Sequence, residues 1–236
     1  MPDIVVVFTT ARPTLSYSRP VFRLQEASEL VSDAVYAKEK QMRLLNAVPL
    51  FLTLVSPALA DGEILRLITD ADKARLEKFD DTRAAALARA RNGGNAADAT
   101  VLETLVDQSS LPFAGFDMVG NWQCRTIELG GPATLVVYDW FRCRVSDDGA
   151  GWMLEKLSGS QRTKGRFFTE SDNRLTYLGA YFVAGETPPA YGAGPETDQA
   201  GYAYRTGESA WRIEFPLPAR ESELDILEFQ RTTSYL

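Results

Sequence analysis

The chain has 236 residues, of which 32 are acidic and 25 are basic, and its formal net charge at pH 7 is -7. This acidic balance disfavours nucleic acids and anionic lipid surfaces as partners. The chain contains no histidine, which excludes Ser-His-Asp and Cys-His catalysis and histidine-ligated zinc. Carboxylate chemistry, as in glycoside hydrolysis, and a carboxylate calcium site remain open.

The first predicted element is a secretory signal peptide over residues 42–60. Basic residues precede an apolar stretch at 44–55, and Ala58-Leu59-Ala60 forms a small-x-small cleavage site before Asp61. We interpret residues 1–41 as an overextended, disordered start of the reading frame. We therefore expect a periplasmic or secreted protein that has no stable membrane insertion after cleavage.

Residues 61–110 form a predicted helical lead of two helices that packs on the following domain. They are rich in helix-forming residues. Thr69 is suited to cap the first helix, which we expect to end at Asn92-Gly93-Gly94. The second helix is predicted from about residue 96 to 106, and its apolar face consists of Val101, Leu102, Leu105 and Val106.

Residues 111–236 are predicted to form a mainly β, antiparallel domain. Aromatic and β-branched residues alternate with turn residues in this part of the chain. Eight strands are predicted at 118–129, 134–146, 151–158, 163–169, 174–184, 200–206, 209–215 and 223–231. Eight short sequential strands favour an up-and-down β-barrel, since closure removes exposed sheet edges. A two-sheet sandwich of the same strands is the alternative.

Cys124 and Cys143 are the only cysteines. In an oxidising compartment such a pair indicates a structural disulfide, and two buried thiols are the alternative. If the two residues lie directly opposite each other in a hairpin, the chain turns near Pro132 and Ala133, within a stretch of turn residues. The same register pairs Trp122 with Val145, Thr126 with Phe141, and Arg125 with Arg142.

Gly120-Asn121-Trp122 opens the first predicted strand after the helical lead. It resembles the Gly-x-Trp motif of lipocalin-like (calycin) barrels. The resemblance implies that Trp122 plugs the closed end of the barrel and packs under an arginine from the final strand. Arg231 is the matching residue in this sequence.

A longer pattern resembles a family of secreted proteobacterial proteins described as domain of unknown function 4893. Its residues are Phe116, Gly120-Asn121-Trp122-Gln123-Cys124-Arg125, Leu135-Val136-Val137-Tyr138, Phe141-Arg142-Cys143-Arg144, Leu154 to Thr163, Tyr177-Leu178-Gly179-Ala180 and Glu221-Ser222. The resemblance covers the chain from about residue 70 onward. It implies an envelope location and supplies no activity, ligand or site residue.

Two sets of residues are candidates for ligand binding. The aromatic residues could line a pocket for an apolar ligand, or fill an interior that is only just wide enough for side chains; they are Trp122, Trp140, Tyr177, Tyr181 and Trp211. The polar segment Ser158–Gly165, which includes Ser160, Gln161 and Arg162, could grip an anion or serve as a hairpin turn.

The hairpin register also places Glu128 opposite Asp139, which could form a carboxylate pair for acid–base chemistry or calcium. Neither residue is flanked by the further oxygen ligands that calcium prefers. We therefore predict no metal site, no cofactor and no named catalytic residue. Glu155 is expected to pair with Lys164 or Arg166 across the next hairpin.

The sequence supports three hypotheses about function. The first is a non-catalytic binding barrel for a small apolar or amphipathic ligand or for an envelope protein. The second is an inhibitor of a secreted protease, for which a mobile segment before Phe116 would be needed. The third is a carboxylate-dependent hydrolase, which would need two acids converging in a cleft.

Overall fold

A computed structural model describes residues 60–220 and 222–231 of the chain. The signal peptide predicted at 42–60 and the start predicted at 1–41 lie outside the described residues, apart from Ala60, which begins a helix. Glu221 and residues 232–236 also lie outside them.

Helices precede the first strand, as the sequence predicts. In the described part of the chain there are four: α1 (Ala60–Leu67), α2 (Asp70–Glu77), α3 (Phe79–Gly93) and α4 (Ala96–Val106). The prediction of two helices was wrong in number, because α1 precedes the predicted pair and the first of that pair is divided at Lys78. Phe79 follows this break and is buried edge-on against Tyr202, with 4.9 Å between the ring centroids. Thr69 caps α2 as predicted, accepting a hydrogen bond from the Asp72 N–H.

The strands form one antiparallel sheet that closes on itself. They are β1 (Gly120–Leu129), β2 (Leu135–Val137), β3 (Phe141–Asp147), β4 (Trp152–Lys156), β5 (Gln161–Ser171), β6 (Arg174–Val183), β7 (Asp198–Arg205), β8 (Ala210–Pro216) and β9 (Leu224–Arg231). Because β1 pairs with β3 on one side and with β9 on the other, eight strands close a barrel and β2 is an additional strand. The predicted eight-stranded barrel is confirmed, and the sandwich alternative is excluded.

The strand predicted at 134–146 is divided into β2 and β3. The break lies at residues 138–140, and the pairing with β1 changes by one residue across it, from Ile127 opposite Val137 to Cys124 opposite Phe141. At the break, the Trp140 ring lies under the guanidinium of Arg125, 4.5 Å from its central carbon. The chain bulges outward at this point, which one continuous strand would not permit.

The disulfide between Cys124 and Cys143 is present, with 5.9 Å between the Cα atoms. It joins diagonal neighbours rather than directly opposed residues, because Trp122 is opposite Cys143. The predicted register was therefore wrong by two residues, although it put the correct side chains on each face, since the side-chain period of a strand is two. Closing a loop across 19 residues stabilises the fold by about 3 kcal/mol.

The corrected register replaces all four predicted pairs. Val145 lies opposite Gly120 rather than Trp122, and Phe141 lies opposite Cys124 rather than Thr126. Arg125 does not face Arg142; it pairs with Glu228 of β9, with 2.6 Å between Nε and Oε2. Glu128 does not face Asp139; it is opposite Val136 and accepts a hydrogen bond from the Tyr138 hydroxyl at 3.0 Å. The predicted pair of Glu155 and Lys164 is confirmed, at 3.3 Å.

Two apolar cores lie on opposite sides of the barrel wall. The inner core fills one half of the barrel, where the Trp211 ring stacks on Phe229 at 3.5 Å and meets Trp122 edge-on at 5.7 Å. The outer core lies between α3, α4 and strands β1, β2 and β9. Leu102 and Leu105 are buried in it and Val101 and Val106 pack at its margin, so the predicted apolar face of the last helix is confirmed.

Candidate functional site

One end of the barrel is closed by the Gly-x-Trp segment. The indole of Trp122 is buried and donates a hydrogen bond to the Met118 carbonyl at 2.8 Å. The guanidinium carbon of Arg231 lies 4.4 Å from the centroid of the Trp122 ring. Gly120 has a φ of 129° and the Arg231 guanidinium lies against its Cα, so a side chain would be both strained and crowded there. Packed side chains therefore close this end of the barrel.

A tyrosine forms the floor between the filled half of the barrel and the opposite end. Tyr177 is completely buried, and its ring lies over Gly165 and Gly179, which face each other on β5 and β6. The Tyr177 hydroxyl shares a 2.7 Å hydrogen bond with Thr163. Because burial raises the pKa of Tyr177 well above its ordinary value, this hydroxyl stays protonated.

Above this floor the barrel holds a hollow that we call the polar cup. It is lined from seven strands by Thr126, Lys156, Gln161, Arg162, Thr163, Tyr181, Gln199, Phe215, Asp225 and Leu227. These residues lie near the C-terminal ends of β1, β4, β6 and β8 and near the N-terminal ends of β5, β7 and β9. In an antiparallel barrel these strand ends lie at the same end of the barrel. The cup has a volume of about 390 Å³, including its mouth.

Two further hollows adjoin the cup and share Gln161 with it. One extends beneath the turn between β8 and β9, where the Arg220 guanidinium lies over the Tyr181 ring at 5.0 Å. The other opens between β2 and β4 and includes Ser160, Phe141 and Glu128. In the described residues β2 has a strand partner only in β1, so the barrel wall is incomplete on this side. The cup can therefore be reached both from its mouth and from the side.

Lys156 carries the charge at the base of the cup. Its side chain is only 6% exposed, yet no carboxylate among the described residues lies within 4.0 Å of its Nζ. The ammonium donates to the Thr126 hydroxyl at 3.3 Å and lies 4.6 Å from the centroid of the Phe141 ring. Burial lowers the pKa of Lys156 to about 8, against the attraction of Asp225 and Glu128.

Acidic and amide groups surround this lysine. Glu128 and Asp225 are directly opposed on β1 and β9, and Asp225 also accepts a hydrogen bond from the Ser222 hydroxyl. The Oε1 atom of Gln199 is buried without a hydrogen-bond partner in the described residues. The cup thus combines two cations (Lys156 and Arg162), the acid Asp225 and an unsatisfied acceptor, and Glu128 lines both hollows beside it. This combination suits a polar or zwitterionic group better than a hydrocarbon chain.

One family model matches nearly all of the helices and strands described above. Residues 65–229 match the model of the family described as Domain of unknown function (DUF4893). The chain belongs to this family. No curated protein and no solved structure matches the chain. The match extends over α2–α4, β1–β8 and most of β9, so every residue of the polar cup lies inside the DUF4893 domain.

Of the five aromatic residues that the sequence singled out, the DUF4893 structure brings one to the cup. Tyr181 lines it, whereas Trp122, Tyr177 and Trp211 are packed in the filled interior. Trp140 lies on the outer wall beside Arg125. The aromatic residues therefore do not form a common pocket.

The polar segment 158–165 contributes more to the site. Gln161 and Arg162 line the cup, and Ser160 lines the hollow at its side. The segment is also a turn, because the Arg162 Nε donates to the Gly159 carbonyl at 3.1 Å and the Ser158 hydroxyl accepts from the Arg142 N–H at 2.8 Å. The segment is therefore a turn, and anion binding by its side chains stays a prediction.

Three residues of the cup were not predicted from the sequence: Lys156, Gln199 and Asp225. A signal for Lys156 was present, because Trp152, Leu154 and Lys156 share one face of β4 and a lysine that follows two apolar residues at period two points into the barrel. Gln199 and Asp225 become neighbours of Lys156 only through the closure of the barrel.

A second, apolar hollow lies on the outer wall of the DUF4893 barrel. We call it the outer groove; it has a volume of about 960 Å³, including open space, and its lining includes Ile64, Leu65, Ile68, Leu76, Thr176 and Tyr202. Leu65 is 69% exposed. Among the described residues, no cluster of three acidic or cysteine side chains could hold a metal ion. No helix of that part of the chain has the length and apolar character needed to cross a membrane.

The burial of Lys156 predicts an unusual dependence of stability on pH. Its pKa is lower in the folded protein, about 8, than in the unfolded chain, about 10.4, so the unfolded chain binds more protons between these values. The free energy of unfolding should therefore rise by about 2 kcal/mol from pH 8 to about pH 10. Urea denaturation followed by tryptophan fluorescence across this range measures it.

The matched controls are Lys156→Met and Lys164→Met. Lys156→Met should be more stable than the native protein at pH 7 and should lose the rise between pH 8 and pH 10, whereas Lys164→Met should keep it. Above pH 10 the trend should reverse, because burial raises the pKa of Tyr191 and Tyr204 to about 12 and the unfolded tyrosines ionise first. An equal rise in both variants would contradict the assignment to Lys156.

Proposed function

We propose that this protein is a non-catalytic binding barrel of the cell envelope that takes a small amphipathic ligand, with the ligand's polar group in the polar cup. The observation that carries the proposal is Lys156, a buried ammonium with no carboxylate of the described residues in ion-pair distance. Keeping such a charge desolvated is unfavourable for folding. A ligand that accepts its hydrogen bonds offsets this cost when it binds.

The balance of charge in the cup indicates what kind of polar group fits. Glu128 and Asp225 oppose the entry of a simple anion, although Lys156 and Arg162 attract one. A zwitterionic or neutral group with both donors and acceptors satisfies the lysine and the buried Gln199 oxygen together. Tyr181, Phe215 and Leu227 supply an apolar wall for the remainder of the ligand.

The envelope location is part of the same proposal. The predicted signal peptide at 42–60 supports it, and so does the disulfide between Cys124 and Cys143, since disulfides persist in oxidising compartments. An envelope protein partner is the other occupant that the sequence suggested. The enclosed position of Lys156 favours a small molecule, because the side chain of a protein partner would have to enter the barrel to reach it.

Native mass spectrometry of the protein, isolated without denaturation from the periplasm of a bacterial host, tests this proposal. The expected spectrum shows a chain that begins at Asp61, lacks two hydrogens because of the disulfide, and carries an additional mass that leaves on denaturation. Lys156→Met should lose the additional mass and Lys164→Met should keep it. A native protein without additional mass would contradict the ligand, and an intact chain from Met1 with free thiols would contradict the location.

The two other hypotheses receive different support. Protease inhibition would need a mobile segment before Phe116. In the structure Phe113 is buried and its N–H donates to the Asp172 carbonyl at 2.8 Å. These contacts give no support to inhibition by such a segment. For a hydrolase, Glu128 and Asp225 are two acids that do converge, in the hollow beneath the turn between β8 and β9 that adjoins the cup. Turnover of a glycoside or ester substrate that is abolished by Asp225→Asn would favour that function over binding alone.

A further inference from the structure

The surroundings of Lys156 differ from those of the other described lysines. Lys73 and Lys78 are exposed on α2 and beside it, and Lys164 is partly exposed in its pair with Glu155. Lys156 alone among the lysines at 60–220 and 222–231 is buried and lines a hollow in the barrel. A small molecule that enters the cup therefore meets one primary amine.

Burial also determines the protonation state of this amine. Desolvation lowers the pKa of Lys156 to about 8, so a substantial fraction of the side chain is neutral near pH 7.5, whereas an ordinary lysine is almost entirely protonated. The neutral form has the free electron pair that makes an amine a nucleophile. Desolvated lysines in apolar surroundings are the ones that form Schiff bases in proteins.

We propose that Lys156 captures a small aldehyde or ketone as a reversible imine inside the polar cup. This inference rests on the proposed binding function, because it assigns the reactive group of the ligand. The Nζ electron pair attacks the carbonyl carbon, and one proton moves from nitrogen to the former carbonyl oxygen to give a carbinolamine. Loss of this oxygen as water forms the C=N bond. Overall, the amine and the carbonyl compound give the imine and one molecule of water, and no oxidant or reductant is needed.

The neighbouring groups suit these species. The protonated imine is a cation, and Glu128 and Asp225 stabilise positive charge at Lys156. The carbinolamine has a hydroxyl that needs an acceptor, and the Oε1 atom of Gln199 is a buried acceptor in the same cup. The Phe141 ring, 4.6 Å from Nζ, keeps bulk water away from one side of the amine. The small volume of the cup selects a small carbonyl compound.

Reductive trapping with benzaldehyde and cyanoborohydride at pH 7.5 tests the inference on the folded, disulfide-bonded protein. Cyanoborohydride converts the imine into a stable benzyl amine, which peptide mass mapping locates. Labelling of Lys156 should be about tenfold faster than that of Lys164, since a far larger fraction of its amine is neutral. In urea the preference should disappear. Lys156→Arg should remove the fast phase, and Lys164→Arg should leave it unchanged.

Two outcomes would overturn imine capture: labelling of Lys156 no faster than that of Lys164, or a preference that persists in the unfolded chain. Neither outcome decides the binding function, which the native mass spectra test separately. If Lys156→Met loses a bound mass while Lys156 shows no preferential labelling, then the ligand is held without a covalent bond. If labelling is selective but the native spectrum carries no ligand, then the reactivity of the amine is established and the proposed ligand is contradicted.

Discussion

Glu214→Gln is expected to lower the free energy of unfolding by about 3–5 kcal/mol. Glu214 lies on the outer face of β8 with a fully buried side chain. Its carboxylate accepts from the Arg83 Nε of α3 at 2.6 Å and from the Arg212 Nε at 2.7 Å. Arg212 is also buried and donates to the Leu105 carbonyl at the end of α4. Neutralising Glu214 would leave two guanidinium groups without their counter-charge, and guanidinium denaturation curves measure the loss.

The matched control is Glu103→Gln, which breaks an ion pair of similar geometry at the surface. Glu103 accepts from Arg91 at 2.8 Å and 2.9 Å, but both side chains are well exposed. Its loss should therefore lower the free energy of unfolding far less than the loss of Glu214 does, because solvent screens an exposed pair. Equal losses in the two variants would show that Glu214 does not hold the helices on the barrel in the way that its contacts indicate.

Gly179→Ala is expected to destabilise the barrel by about 3 kcal/mol. A Cβ at this position would overlap the Tyr177 hydroxyl and would lie 2.6 Å from the Lys164 carbonyl oxygen. Neither neighbour can retreat, because Tyr177 is enclosed on all sides and the carbonyl belongs to a paired strand. The melting temperature reports the loss. Near-ultraviolet circular dichroism should show a rearranged aromatic core, since Tyr177 also contacts Phe215 at 5.6 Å.

Gly207→Ala is the control for this variant. Its added Cβ would meet Ala210 at 3.5 Å, which is an ordinary contact, so the stability should change by less than about 0.5 kcal/mol. Gly179→Ala combined with Tyr177→Phe should recover part of the loss, because the closest of three overlaps is removed while the ring carbon Cζ and the Lys164 carbonyl oxygen both stay 2.6 Å from the added Cβ. If the double variant is no more stable than Gly179→Ala, then the Tyr177 hydroxyl is not what the alanine displaces.

The barrel was predictable because its turn residues and its strand periodicity agreed. The strand register was not, since the two cysteines admit both a direct and a diagonal arrangement and the sequence does not distinguish them. The division of the helical lead at Lys78 depends on Phe79 reaching Tyr202, which is more than a hundred positions away along the chain. Contacts of that range cannot be read from local helix propensity.

The candidate site was only partly predictable for a similar reason. Gln161 and Arg162 were selected because their segment is rich in polar residues, and the structure places both in the cup. Trp122 and Trp211 were selected because they are large, but size favours the interior of a filled core as much as a binding pocket. Lys156 was overlooked because one lysine in an alternating strand is a weak signal until the opposite walls of the barrel are known.

The pairing of β1 with β9 also affects how this protein must fold. Trp122 and Arg231 are partners in that pairing, so the last seam of the barrel joins positions from the two ends of the β domain. Such long-range pairings fold slowly, because the entropy of closing a long loop is lost before the contacts form. Until β9 pairs with them, β1 and β8 each expose an unpaired strand edge, with which other chains can pair. A chain truncated before Leu224 would keep both strand edges unpaired. We expect such a chain to aggregate rather than to form a smaller barrel.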